Sequence, residues 1–198
     1  MLLYPKAGFH TKVYVIIGSI MAELVGNSPV DPREFLARPF QNIQLGDIVV
    51  PPDRELLQYL PNLRDESGVV YINGRWYVIK ASEIGIPAWA MPQGADILMH
   101  SHTALPDDPD GTLPSPQDFW NCSPTARNFV IGQGGLTRYY RPEDGGVRRR
   151  LEIAGMYGWF RPGMIGEYMQ FLQQLNLKYV TYSWKSLTER GLQDLFYS

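Results

Sequence analysis

The chain has three histidines, and two of them, His100 and His102, stand one residue apart in ILMHSH. In an extended strand, residues i and i+2 project from the same face. The pair therefore presents two imidazoles together, which suits a first-row divalent metal ion. Downstream, Ser115 and Asp118 form a Ser-x-x-Asp phrase within LPSPQDF. Asp118 can add a carboxylate oxygen. Two histidines, one carboxylate and a position left for water make a common catalytic zinc set. An ion held that way brings the pKa of water toward ~7 and polarises a carbonyl. Such a site also needs a general base, a carboxylate near the water that is not itself a strong ligand. The same residues have a plainer reading. Ser115 followed by Pro116 is how a helix begins, with a side-chain cap and then proline at the first helical position.

These groups have to be delivered by particular elements. ADILMHSH is a short apolar run ending in polar residues, as expected of a buried central strand with ligands at its end. SPQDFWNCS reads as a helix start capped by Ser115. Upstream, ESGVVYINGRWYVIKAS holds two β-branched and aromatic runs around Asn73-Gly74, the strongest short hairpin signal because both turn positions need positive φ. DRELLQYLPNL is helical, with Leu56, Leu57, Leu60 and Leu63 on one face. RNFVIGQGGLTRYYRP reads as a strand or hairpin around Gly134-Gly135. EDGGVRRR reads as a loop, and LEIAGMYGWF is apolar and ambiguous. GEYMQFLQQLNL is a helix, KYVTYSW a strand and SLTERGLQDLF a final helix. In the first fifty residues, KVYVIIGSI reads as a strand. DPREFLARPF reads as a short helix capped by Asp31, with Pro32 at its first position. Strands alternating with helices make this an α/β or α+β chain.

A chain of 198 residues with 44% hydrophobic and 13% aromatic content can build a substantial core. A net charge of -2 argues against a nucleic-acid binder driven by phosphate neutralisation. Arg148-Arg149-Arg150 reads as a solvated patch. The single cysteine, Cys122, excludes an intramolecular disulfide and fits a reducing compartment, so the expected location is cytoplasmic. The apolar run at residues 13 to 22 reads as a buried strand. No stretch approaches the ~20 apolar residues of a membrane span, and no membrane partner is expected.

The phrase HSHTALPDDPDGTLPSPQD resembles the signature of the JAMM/MPN-type zinc metalloproteases: His-x-His-Pro, a spacer, then Ser-x-x-Asp, with a glutamate upstream at the start of a strand. The resemblance spans roughly residues 53 to 142. It implies a mixed β-sheet flanked by helices as the catalytic core, with 1-52 as an N-terminal extension packed on it and 143-198 as a C-terminal extension with helices. It implies His100, His102 and Asp118 as ligands of Zn2+, Ser115 as the oxyanion donor and a glutamate as the general base. Glu66 fits that last role, being followed by Gly68 as the family's Glu-x-Gly phrase often has it; Glu83 in KASEIG is the alternative. The implied activity is hydrolysis of a peptide or isopeptide bond by an activated zinc-bound water. The implied partner is a protein or peptide substrate, with the tail of a ubiquitin-like protein as the family's example. Thr103 stands where the family usually has proline. Twelve residues, 103 to 114, separate His102 from Ser115, a longer spacer than in compact members. Two other readings stay open: a non-catalytic scaffold of the same fold, and a zinc hydrolase acting on a small amide. The oligomeric state is left open too.

Remaining candidates are weaker. Asp107, Asp108, Asp110 and Gly111 share part of the spacing of a calcium loop and read as a solvated turn. Cys122 lies four residues after Asp118 and reads as a buried structural cysteine. Gly132, Gly134 and Gly135 read as a turn and not a phosphate loop. Ser101 points away from the histidine face.

Overall fold

The computed structural model of the chain describes residues 13-17, 20-24, 29-38, 44-80 and 94-197. The architecture is mixed α+β: one sheet with helices on both faces. Its strands are β1 (Val13–Ile17), β2 (Ile20–Leu24), β3 (Gln44–Ile48), β4 (Ser67–Ile72), β5 (Arg75–Lys80), β6 (Ile97–Ser101), β7 (Arg127–Ile131), β8 (Gly135–Tyr139) and β9 (Tyr179–Ser183). They lie in the order β1-β2-β3-β5-β4-β6-β7-β8-β9. Pairing is antiparallel except at β2–β3 and β6–β7. The helices are α1 (Pro32–Ala37), α2 (Arg54–Tyr59, continued by a 3-10 turn at Leu60–Asn62), α3 (Pro116–Asn121), α4 (Gly145–Met156), α5 (Ile165–Gln174) and α6 (Glu189–Tyr197).

Local chemistry sets most element ends. Asn73 and Gly74 take φ of 53° and 78°, which turns β4 into β5. Asp31 caps α1, accepting from the backbone N–H groups of Arg33 and Glu34, with Pro32 at the first position. Two expectations change. KVYVIIGSI is not one strand: β1 and β2 pair antiparallel, Ile17 opposite Ile20. EDGGVRRR is not a loop: α4 starts at Gly145, its first turn held by Asp144 Oδ1, which accepts from Gly146 N at 2.6 Å and Val147 N at 3.4 Å. Glycine costs most inside a helix, and at the first turn a side-chain cap offsets that cost.

Alternation along the strands divides the interior into two layers. Ile97 and Met99 of β6, with Phe129 and Ile131 of β7, face a core closed by α1, α2 and α6, where Phe35, Leu57 and Phe196 are buried. Val130 of β7 and Tyr139 of β8 face a second core under α3, α4 and α5, built on Phe119, Leu151, Tyr168 and Leu172. The start of α2 is tied to the segment after β9: the Arg54 guanidinium donates to the backbone oxygens of Trp184 and Leu187. Among the described residues no helix is long and apolar enough to cross a membrane.

Candidate metal centre

The histidine pair stands where β6 ends. His100 lies within the strand and His102 just after it, where its backbone N–H donates to Ile131 O at 2.9 Å and prolongs the ladder to β7. Both imidazoles turn toward the layer of α3, α4 and α5, the face opposite Ile97 and Met99. Their Nε2 atoms are 3.1 Å apart. His100 is buried. His102 Nδ1 lies 3.2 Å from Leu113 O. A carbonyl only accepts, so Nδ1 carries a proton toward it and Nε2 faces the site. His100 Nδ1 is buried without a hydrogen-bond partner.

Glu66 precedes β4 and enters from the neighbouring strand. The β4–β6 register pairs Gly68 with His100. Two residues earlier on the same face, Glu66 arrives beside the histidines, with Oε1 4.0 Å from His100 Nε2. The ligand atoms of Glu66, His100 and His102 all lie within 4.8 Å of one another, a group that could hold a metal ion. Ser101, between the histidines, faces the other way as expected. Its Oγ accepts the Ser67 N–H at 3.1 Å inside the core, which makes it a buried hydrogen-bond acceptor and not a nucleophile.

Asp118 comes from the first turn of α3. Its Oδ1 lies 3.0 Å from His100 Nε2 and its Oδ2 3.3 Å from His102 Nε2. The carboxylate is held by a capping box: Ser115 N donates to Asp118 Oδ2 at 2.6 Å, and Asp118 N donates to Ser115 Oγ at 3.2 Å. The two readings of Ser115 are therefore compatible. As a cap its oxygen accepts, and its hydroxyl proton remains available to a ligand.

The separations match a shared ion. Bonds of about 2.0–2.1 Å in a tetrahedron put neighbouring ligand atoms roughly 3.3 Å apart. His100 and His102 meet that spacing; Asp118 meets it with a different oxygen toward each histidine, and Glu66 lies 4.0 Å from His100. The charges agree. Burial alone would lower the His100 pKa, but the charge and hydrogen bond of Asp118, with the charge of Glu66, lift it to about 9. Burial alone would raise the Asp118 carboxyl, yet the two imidazoles hold it well below the usual range. The carboxylates of Asp118 and Glu66 thus both act on the buried His100.

Several neighbours escape a reading by sequence. Tyr139 on β8 sets its ring edge-on to His100, centroids 6.4 Å apart. Burial first, and then the charges of Asp118, Cys122 and Glu66, push its hydroxyl well above the ordinary range. Phe160, in the α4–α5 connection, lies 5.7 Å from the His102 ring and 5.5 Å from Tyr168. The Tyr168 hydroxyl donates to Pro114 O at 2.9 Å, one residue before the Ser115 cap. The C-terminal segment thus forms one wall of the site. Their only sequence signal was aromaticity, already accounted for by the core.

The long spacer is an ordered loop. Asp107 Oδ2 accepts from Gly163 N at 2.8 Å and Ile165 N at 3.1 Å, tying it to the start of α5. Leu105 and Asp108 exchange backbone hydrogen bonds at 3.0 and 3.1 Å. On its other side Gly134 N donates to Asp110 O at 2.9 Å. Gly132 and Gly134 belong to the β7–β8 turn and give this approach room. A Cβ on Gly132 would stand 2.2 Å from Asp110 O. Cys122 is buried and its thiol is pushed up to about 12, by burial first and then by the Asp118 charge, so it stays protonated. Glu83, the alternative base, and His10 lie outside the described residues. No family model, curated protein or solved structure matches the chain.

Proposed function

We propose that the chain is a zinc-dependent hydrolase of JAMM type, cleaving a peptide or isopeptide bond. The observation that supports this reading most is the difference in spacing around His100. Asp118 and His102 stand at ligand separations, while Glu66 is held a step further out. That is the division of labour between ligands and base which hydrolysis requires.

His100 Nε2, His102 Nε2 and Asp118 would hold the ion, which when bound makes water acidic and polarises a carbonyl. Glu66 takes a proton from water as it attacks the carbonyl carbon. Ser115 turns its hydroxyl proton to the oxygen on which charge develops. Glu66 then returns the proton to the departing amine, and the C–N bond breaks. Buried Tyr139 and half-buried Phe160 limit bulk water on one side. In this reading the substrate is the C-terminal tail of a ubiquitin-like protein or a conjugate of one.

A second reading, hydrolysis of a small amide, draws on a separate observation. Phe160 lies against His102, and Asp107 fastens the spacer loop to α5, so two segments crowd the approach. Assaying tagged ubiquitin-like tails beside small amides separates the two. Under the first reading the tails are cleaved, and Glu66→Gln abolishes cleavage while retaining zinc. Cleavage of small amides alone would favour the second. Wild-type protein that is zinc-loaded but cleaves neither class would leave the scaffold.

A further inference from the structure

At the end of the strands opposite His102, three connections come together: α3 to β7, β8 to α4 and α5 to β9. They border a half-open pocket of about 750 Å3, within the range of small-molecule sites. Val147, Leu175 and Leu177 give it an apolar wall, and Arg141, Arg148 and Lys178 line it as well. Two acids, Glu143 and Asp144, line it too. Among the described residues no ion pair joins any of the three cations to a carboxylate. Asp144 is engaged in capping α4, and Glu143 is exposed.

The Arg148 guanidinium folds back over the first turn of its own helix. A Cβ placed on Gly145 would be 3.8 Å from its Nη2. Its Nε is buried without a hydrogen-bond partner. A buried donor without an acceptor carries a free-energy cost. Three cations against two carboxylates leave the concavity net positive, and among the described residues none of the three is held in an ion pair, which favours an anion.

We propose that this pocket binds a small phosphate ester. Its phosphate meets Arg141, Arg148 and Lys178, and its organic part lies along Val147, Leu175 and Leu177. A phosphate suits the set because its several oxygens accept from two planar guanidinium forks and one ammonium at once. The site is distinct from the metal centre, since Glu66, His100, His102 and Asp118 contribute nothing to its lining.

The test is calorimetric titration of the full-length chain with AMP and with inorganic phosphate. Both are expected to bind, AMP more tightly, and binding is expected to weaken with added salt. Arg148→Gln should weaken AMP roughly tenfold or more, as expected for loss of hydrogen bonds to a charged group. Lys178→Gln, at an exposed position, gives the same direction should Arg148→Gln fail to fold. The His100→Ala/His102→Ala variant should bind AMP like the wild type. No binding of either probe up to concentrations of about 10 mM would overturn the proposal. So would full affinity in both cation variants, or loss of AMP binding in the histidine variant.

Discussion

The backbone N–H of Ser67 donates to the Oγ of Ser101 at 3.1 Å, and this bond sets the start of β4 against the end of β6. Glu66 is the residue before Ser67, and His100 and His102 flank Ser101. One buried hydrogen bond on the rear face of the sheet thus fixes how Glu66 meets the two histidines on the front. Ser101→Ala leaves a buried N–H without its acceptor. It should lower the unfolding free energy by about 1–3 kcal/mol, read from urea denaturation. Hydrolysis should fall further than zinc content, because the displaced group is Glu66.

The packing of the spacer loop on the β7–β8 turn depends on absent side chains. Gly132→Ala would force a Cβ to within 2.2 Å of Asp110 O, a backbone atom with nowhere to move cheaply. A loss of about 1–3 kcal/mol is expected, the range for overpacking. Gly166→Ala on α5 meets nothing within 4 Å and should be neutral or stabilising, by up to about 1 kcal/mol. Thermal unfolding of the two variants checks the contrast.

The metal-free protein should respond to pH in a defined direction. The folded His100 pKa is about 9, above its ordinary 6.5, so its contribution to stability is full below 6.5 and lost as pH rises through about 9. Asp118 has the opposite sign: its contribution is present above the ordinary 3.8 and is lost as pH falls toward its lowered folded value. Unfolding midpoints in chelator should therefore decline between about pH 6.5 and about pH 9. A metal ion competes for the same nitrogen, so zinc affinity should rise across that interval and level off above it.

Base and ligand should separate under mutation. Glu66→Gln should keep zinc and lose about 10²–10⁴-fold in hydrolysis, the usual worth of a general base. Asp118→Asn should weaken zinc binding itself. It also replaces the carboxylate of the capping box, with a cost of about 0.5–2 kcal/mol to stability. Metal titration and turnover, measured on the same preparations, distinguish the two effects.

What could be read in the sequence was what local chemistry determines. Asn73-Gly74 demanded a tight turn, Ser115-Pro116 a helix start and His100-x-His102 a shared strand face. The placement of Glu66 needed the β4–β6 register, which joins residues more than thirty positions apart; only the resemblance of the motif proposed it. Phe160, Tyr139 and Tyr168 could not be picked out, because packing between distant segments brings them to the histidines. The two glycines before Val147 suggested a loop, and a capping aspartate made them a helix start. The aspartates of the spacer suggested a solvated turn, and Asp107 and Asp110 are exposed; that Asp107 also accepts from the start of α5 was not legible.

The most direct test of the metal centre is elemental analysis of the chain purified without chelator, beside the His100→Ala/His102→Ala variant. The expected result is about one zinc per chain in the parent and none in the variant, in keeping with three protein ligands around one ion. No zinc in the parent, even after zinc is added back, would contradict the metal centre and with it the hydrolase.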